Sequence, residues 1–348
     1  MKLSGLFKER SKKRIARREA EEKERQERAW HAEKQARFKQ LYFAEVPVDF
    51  DVVTEIRNEV LPKSGPVCWV DAPDALLEVD RKLGRGEISA AEAEICVQFI
   101  TEGYCIAKSL IPTSELDSAW AAYEAAIASN AIELKLEPHG ENDPFPGRTL
   151  DPHVKVPEIR ALQWHPAILR ITNVLFGRET VPFQTIMGHK SSAQAPHSDA
   201  IHMTTYPLGF LIATWTAFED IHPESGPLEY FPKSHRLLPY LLSREVGIEP
   251  LQFKEQGYST YHDKYEPAIR RHLEAYGIRP SYFEARKGDV LFWHSNLVHG
   301  GQPRKDFKWS RKALVAHYFA KGAVTYHDLS GNPSRLHRDG MYEPLRVD

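Results

Sequence analysis

Lys312-Ala-Leu-Val-Ala-His-Tyr-Phe319 decides how the second half of this chain is read. The run is short, mostly apolar and aromatic, and free of Pro and Gly, so it reads as a buried strand. Four similar runs lie upstream, at 182–188, 210–218, 227–231 and 289–293, separated by turn residues. Their spacing predicts an all-β core with long loops, a sandwich or barrel. A helical pattern returns at 266–276, inside a stretch, 237–280, that separates two of these runs. Before residue 177 the pattern is helical. Ser89-Ala-Ala-Glu92 is a capping box, Ile95, Phe99 and Ile100 follow at helical spacing, and Gly103 closes the helix ahead of a short strand, Tyr104-Cys-Ile-Ala. A second helix is expected from Thr113 through Trp120, Tyr123 and Ile127, and a third over 166–176, closed by Gly177. Residues 137–151 are expected to form a loop, and 46–74 a connector.

Composition excludes several classes. The chain has 348 residues, 42% hydrophobic and 27% charged, which suits an ordinary globular protein. A run of ~18 apolar residues is missing, so no transmembrane helix is expected. The start, Met1-Lys2-Leu3-Ser4-Gly5-Leu6-Phe7-Lys8, lacks the apolar core of a secretory signal. Three cysteines, Cys68, Cys96 and Cys105, suit a reducing, cytoplasmic setting rather than a disulfide scaffold. The net charge of −2 hides two regions: residues 1–40 hold 14 Lys/Arg against 7 Asp/Glu, and the remainder holds 32 against 41. The expected organisation is a basic arm over 1–45 and one domain over 46–348. The arm is rich in helix formers, with Glu21→Arg25 and Glu24→Arg28 at supportive spacing, but Ile15, Trp30 and Phe38 make no apolar seam. It reads as a solvated helix or disordered segment, or as a docking arm for an acidic partner, anionic lipid or nucleic acid. Leu3, Leu6 and Phe7 would suit a membrane surface. No nucleic-acid motif is evident.

The chemistry concentrates in Pro196-His197-Ser198-Asp199 and Leu297-Val298-His299-Gly300-Gly301. In a strand, side chains two apart share a face, so His197 and Asp199 can reach one point. A third His from a distant strand would give two imidazoles and one carboxylate on one side of a metal, leaving the other side open. That set suits non-haem Fe(II). A bare His-x-Asp is a common chance pair among 16 histidines. Its context strengthens it: Arg311 follows His299 by twelve residues, at the start of the opening run. Its planar fork is the natural grip for the far carboxylate of a chelating keto acid.

These residues carry a resemblance. Asp289-Val-Leu-Phe-Trp-His294 through His299-Gly300, then Ser310-Arg-Lys-Ala313, resembles the second half of the phytanoyl-CoA dioxygenase family, a branch of the Fe(II)- and 2-oxoglutarate-dependent oxygenases. Phe99-Ile-Thr-Glu-Gly-Tyr-Cys-Ile106 is similar to its N-terminal Gly-Tyr strand. Trp215-Thr-Ala-Phe-Glu-Asp220, Gly226-Pro-Leu228 and Phe231-Pro-Lys-Ser-His235 are similar to its middle segment. The resemblance covers roughly 95–325. It implies an α+β fold: a double-stranded β-helix (jelly-roll, cupin-like) core over about 177–325, flanking N-terminal helices and a helical insertion over about 237–280. It implies His197, Asp199 and His299 as metal ligands, Arg311 as the 2-oxoglutarate anchor, and Gln184 and Trp215 as co-substrate contacts, with Trp215 equally readable as a core residue. Two positions depart: Lys233 stands where the family usually has Gly, and Gly301 where some members carry a hydroxyl to the co-substrate. His294 is a competing distal ligand. His235 and His317 read as structural.

The implied activity is oxidative decarboxylation of 2-oxoglutarate, with Fe(II) and O₂, coupled to hydroxylation of an unactivated C–H bond of a small polar molecule. Ring closure, desaturation or epimerisation are outcomes of the same chemistry. Asp199 speaks against a halogenase, whose site replaces the carboxylate. No further protein acid or base is required. His202 and Tyr261 are the expected substrate contacts, and the 237–280 insertion is the expected lid. The alternative function is a catalytically weak scaffold that binds or assembles through its basic arm.

Overall fold

The computed structural model describes residues 15–22, 25–26, 29, 67–134, 143–333, 335–336 and 342–343. They belong to two units that divide near residue 54. In the first, residues 15–22 are helical and solvent-exposed, with Arg17 and Glu21 paired at 2.8 Å. Arg25 pairs with Glu22 at 2.8 Å, one turn position away from the Glu21 partner expected. Leu3, Leu6, Phe7, Trp30, Phe38, the Glu24–Arg28 pair, the arm boundary at 45 and most of the expected connector lie outside the described residues.

The second unit opens on helices. After α1 (Ala75–Gly84), the capping box forms at the start of α2 (Ala90–Glu102): Ser89 Oγ accepts from the Glu92 N–H at 3.3 Å, and the Glu92 carboxylate accepts from the Ser89 N–H at 2.8 Å. Gly103 ends α2 in the left-handed region, φ 82°. The chain continues through β1 (Tyr104–Ala107), α3 (Thr113–Ala128), β2 (Thr149–Leu150), α4 (Pro157–Gln163) and α5 (Pro166–Phe176). The expected loop over 137–151 therefore ends in a two-residue strand, which pairs with Met187 and Ile186.

The strands that follow are β3 (Thr180–Gly188), β4 (Thr204–Tyr206), β5 (Leu211–Ala217), β6 (Leu228–Tyr230), β7 (Ser281–Phe283), β8 (Val290–His294), β9 (His299–Gly301), β10 (Ala313–Ala320), β11 (Val324–His327) and β12 (Asn332–Pro333). One six-stranded sheet has the order β1-β8-β5-β10-β3-β2. Two smaller sheets have the orders β7-β6-β9 and β12-β11-β4. All pairings are antiparallel.

The large sheet is buried on both faces, which explains its continuously apolar strands. Val290 and Phe292 of β8, and Leu314, Ala316 and Tyr318 of β10, pack with Phe99, Leu116, Tyr123, Ile168 and Leu175 of the helices. Their alternates, Leu291, Trp293, Ala213, Trp215 and Ala313, pack with Leu228, Tyr230 and Phe283 of the β7-β6-β9 sheet. His317 has the parity of Ala313 and shares that inner face. Opposite it, the register slips from Ala316↔Thr185 to Tyr318↔Pro182, so Phe183 and Gln184 together face one residue. Such a bulge re-aims side chains.

Between β6 and β7 lie α6 (Ser234–Leu237), α7 (Pro250–Gln256), a π-helical turn (Tyr261–Tyr265) and α8 (Glu266–Ala275). Phe253, Tyr261, Tyr265, Ile269 and Leu273 form a cluster with Ile201 and Val298, the neighbours of the candidate ligands. No helix among the described residues is long and apolar enough to cross a membrane.

Candidate metal centre

His197 and His299 are 102 positions apart in sequence and lie opposite each other in an isolated antiparallel bridge. The His197 N–H donates to the His299 carbonyl at 2.9 Å, and the His299 N–H to the His197 carbonyl at 2.8 Å. Asp199 then opens a short 3-10 turn (Asp199–Ile201). His-x-Asp thus sits on a bridge followed by a turn, not on the regular strand its spacing suggested, and the three side chains still converge. Their ligand atoms lie within 4.8 Å of one another. Asp199 Oδ1 is 3.9 Å from His197 Nε2 and 3.6 Å from His299 Nε2.

Hydrogen bonds settle which atoms are free to bind. His197 Nδ1 lies 2.8 Å from the Ala195 carbonyl, and His299 Nδ1 3.0 Å from the Leu297 carbonyl. A carbonyl only accepts, so each Nδ1 carries the proton and each Nε2 keeps its lone pair. The Trp293 Nε1–H donates to Asp199 Oδ2 at 2.8 Å, and His317 Nε2 lies 3.7 Å from the same oxygen. Oδ1 is left facing the two imidazoles. Burial, then the neighbouring His299 ring, pushes His197 down to about 4. Burial alone would raise Asp199, but His299, His317, His197 and the Trp293 N–H hold its carboxyl below the ordinary value. At neutral pH His197 is therefore a neutral imidazole and Asp199 a carboxylate, both in the form a metal ligand needs.

The three residues line a cavity of about 470 Å³ that also takes in Gln184, His202, Trp215 and Arg311. Arg311 is buried. Its backbone N–H donates to the His189 carbonyl at 2.7 Å, Nη1 donates to the Gly226 carbonyl at 3.1 Å, and its guanidinium lies 5.6 Å from the Trp215 ring centre. Among the described residues lining the cavity, Asp199 is the one carboxylate, against Arg148, Lys190 and Arg311. Tyr261 is buried behind His202, with ring centres 4.8 Å apart, and Tyr258 takes its place in the lining. His294 turns away, with Nε2 3.1 Å from Asp71 Oδ2 and Nδ1 accepting from the Asn296 N–H. His235 packs against Gly103 and lies 3.2 Å from the Ile100 carbonyl.

The family model for phytanoyl-CoA dioxygenase (PhyH) matches residues 99–313, a span that contains every one of these donors. The chain belongs to the phytanoyl-CoA dioxygenase family. Among curated relatives, it is 27% identical over 176 residues to the peroxisomal phytanoyl-CoA dioxygenase of Homo sapiens, covering 48% of this chain and 47% of the relative. It is 27% identical over 177 residues to phytanoyl-CoA dioxygenase domain-containing protein 1 of Mus musculus, covering 49% and 56%. The chain thus spans about half the length of the curated relatives it matches. Among solved structures, it shares the fold of the non-heme alpha ketoglutarate dependent epimerase SnoN from nogalamycin biosynthesis, in a complex with Fe3+, alpha ketoglutarate and nogalamycin RO. That match has a TM-score of 0.56 at 21% identity and covers 74% of this chain and 99% of SnoN. The carbocyclase SnoK from the same biosynthesis aligns with a TM-score of 0.52 at 19% identity, covering 75% and 89%.

Both departures from the phytanoyl-CoA dioxygenase pattern have a structural account. Lys233 adopts the left-handed conformation, φ 68°, in which Gly is at ease, and its N–H donates to the Glu102 carbonyl at 2.8 Å. Gly301 has the Ser192 hydroxyl where its Cβ would be, and Ser192 lines the cavity. A Cβ on Gly300 would stand 2.9 Å from the Gln194 carbonyl. The glycine pair therefore lets the segment carrying His197 lie against β9. Sequence reasoning missed Trp293 as the support of Asp199, and missed Arg148, Lys190, Tyr258 and His327 in the lining. It also missed Tyr265, whose hydroxyl accepts from the Ser198 N–H at 3.0 Å, between the two ligands. The Val290–His294 strand's alternation could have flagged Trp293. Nothing local marks His327.

Proposed function

We propose that this chain is an Fe(II)- and 2-oxoglutarate-dependent dioxygenase on a double-stranded β-helix core, hydroxylating an unactivated C–H bond of a small polar molecule. The observation that carries this reading is the convergence of His197, Asp199 and His299 in one cavity with Arg311. The donors fit the ion: two Nε2 lone pairs and one carboxylate oxygen, gathered on the lining of one cavity, are the set that would hold Fe(II). When bound, iron with 2-oxoglutarate and O₂ supplies the oxidant for C–H cleavage, and succinate and CO₂ leave.

The protein's part is positioning. His197 and His299 present Nε2 because the Ala195 and Leu297 carbonyls hold the opposite nitrogens. Trp293 engages Asp199 Oδ2, so that Oδ1 is the oxygen that would hold the ion. Arg311, oriented by the Gly226 carbonyl and stacked over Trp215, offers its fork to the distal carboxylate of the co-substrate. Gln184, re-aimed by the bulge opposite His317, is a second polar contact for it. The Ser192 hydroxyl stands in for the one a side chain at 301 would carry. His202 faces the substrate, and Tyr261 backs it.

Incubation of the full chain with Fe(II), ascorbate and 2-oxoglutarate tests the reading. Succinate should form above a His197→Ala control, and 2-oxoglutarate should bind with Fe(II) present. A wild-type protein that neither binds 2-oxoglutarate nor forms succinate overturns it. Residues 46–348 are the catalytic domain in this reading and the basic arm a docking element, so deleting 1–40 should leave succinate formation unchanged.

A further inference from the structure

One wall of the cavity is made of rings. His202, Tyr258 and His327 line it, with Tyr261 4.8 Å behind His202 and Phe253 5.6 Å behind His327, measured between ring centres. The β4–β11 ladder assembles it: Tyr326 faces Thr204, so His327 falls beside the His202–Met203 end of β4. The two imidazoles lie nearly parallel, 18° apart, with centres 6.1 Å apart.

The tautomer of His327 follows from its neighbours. The Ser330 backbone N–H, which can only donate, points to His327 Nδ1 at 3.3 Å, and the Ser330 hydroxyl, 2.8 Å from the same nitrogen, can donate to it as well. Nδ1 therefore holds the lone pair, and the neutral ring carries its proton on Nε2. Burial pushes this ring down to about 4, so it is neutral at ordinary pH. His327 Nε2 is buried and has no hydrogen-bond partner among the described residues, and the same holds for His202 Nδ1. A sealed N–H donor on a cavity wall is the kind of group a ligand satisfies.

We propose that His327 and His202 form the substrate wall, and that the substrate is a ring-bearing molecule presenting a carbonyl or ether oxygen to the His327 Nε2–H. The assignment of this ligand as substrate rests on the oxygenase reading. The aromatic wall suits a ring, and Leu150, Met187 and Met203 line the cavity with apolar surface for its edges. An ammonium donor finds no acceptor at a ring protonated on Nε2. His327 lies beyond the family-matched span, which ends at 313, whereas His202, Tyr258 and Tyr261 lie within it.

Acetophenone and ethylbenzene are matched probes, alike in shape but differing in the acceptor oxygen. Their dissociation constants are measured by equilibrium dialysis against the full chain loaded with Fe(II) and 2-oxoglutarate without oxygen. In His327→Leu the preference for the ketone, relative to ethylbenzene, should fall about fivefold, the weight of one net hydrogen bond. His327→Gln, which keeps a donor, should restore it to within about twofold. In the metal-free wild-type chain labelled with ¹⁵N-histidine, acetophenone should shift the His327 Nε2–H resonance. A ketone preference unchanged in His327→Leu, or a ketone that saturates the protein without moving that resonance, overturns the proposal. The resonance needs no iron, so a ring wall that binds the ketone while succinate formation fails would bring down the oxygenase reading alone.

Discussion

Replacing Trp293 by Phe removes one N–H from Asp199, the carboxylate of the candidate metal centre. The bond is 2.8 Å long, the indole is 2% exposed, and the acceptor is a buried carboxylate oxygen. A hydrogen bond to a charged group contributes ~1.5–3 kcal/mol. At ~1.4 kcal/mol per decade, that is ~10- to 100-fold in iron affinity if the bond's role is to hold Oδ1 toward the ion. The substitution also leaves a small void beside His299, whose ring centre is 4.7 Å from that of Trp293, and that void costs about 1–2 kcal/mol of stability. Competition with a chromogenic chelator reads the affinity, and thermal unfolding of the metal-free chain reads the void. A benzothienylalanine at 293 keeps the ring volume and lacks the N–H, so it should lose affinity with little loss of stability. The pH dependence has a definite sign. The Trp293 N–H is one of the groups holding Asp199 below the ordinary carboxyl value. Without it the carboxyl titrates higher, and the low-pH limit of metal binding moves up. If the folded variant binds iron as the wild type does, with the pH limit unmoved, Trp293 is only core packing.

Gly300→Ala should lower metal affinity at least tenfold, because its Cβ would meet the Gln194 carbonyl at 2.9 Å and push away the backbone that leads to His197; Gly301→Ala should cost less, since the atom it meets is a serine hydroxyl that can rotate, and equal losses in the two variants would argue against this difference. Tyr265→Phe strands the Ser198 N–H in a buried site, at ~1–3 kcal/mol, and should weaken metal binding more than it alters 2-oxoglutarate affinity measured at saturating metal, with calorimetric titrations of both ligands as the check. The metal-free chain should be equally stable at all pH values from about 6.5 to 8 and lose stability as pH falls from about 6.5 to 4. The reason is that burial holds His235 near 3 and His327 near 4, so the unfolded chain takes up protons that the folded one refuses. Melting temperatures across that range, flatter in His327→Gln, would bear this out, and a melting temperature that rises on acidification would contradict it.

The parts of this molecule legible in the sequence are those fixed by short-range chemistry. The Ser89–Glu92 capping box, the glycine stops at 103 and 177, and the buried strands at 290–294 and 313–320 announce themselves through local propensity or unbroken apolar character. The strand pair β4 and β11 did not, since three or four residues with mixed side chains carry too little pattern to separate from loop. The same limit applies at the site. His197, Asp199, His299 and Arg311 stand out in the sequence because their residue types and spacing carry chemistry. Trp293, Tyr265 and His327 act through contacts between segments tens of residues apart, and each reads locally as an ordinary core or surface residue. Their roles appear only when the ladder register and the insertion's packing are known.

The bridge between His197 and His299 bears on how the metal relates to folding. In small metal-folded domains, the ion supplies the contacts that bring its ligands together, and the empty chain is unfolded. Here two backbone hydrogen bonds join the ligand residues directly, β9 is held by β6, and Tyr265 clasps the residue between His197 and Asp199. The segments that carry the candidate donors are therefore held together by bonds that involve no metal. It follows that the ion adds to the stability of an already folded domain by mass action, growing with its free concentration. A chelator should consequently lower the melting temperature without abolishing the cooperative transition, whereas loss of the transition on chelation would mean that the ion, and not the bridge, gathers the ligands.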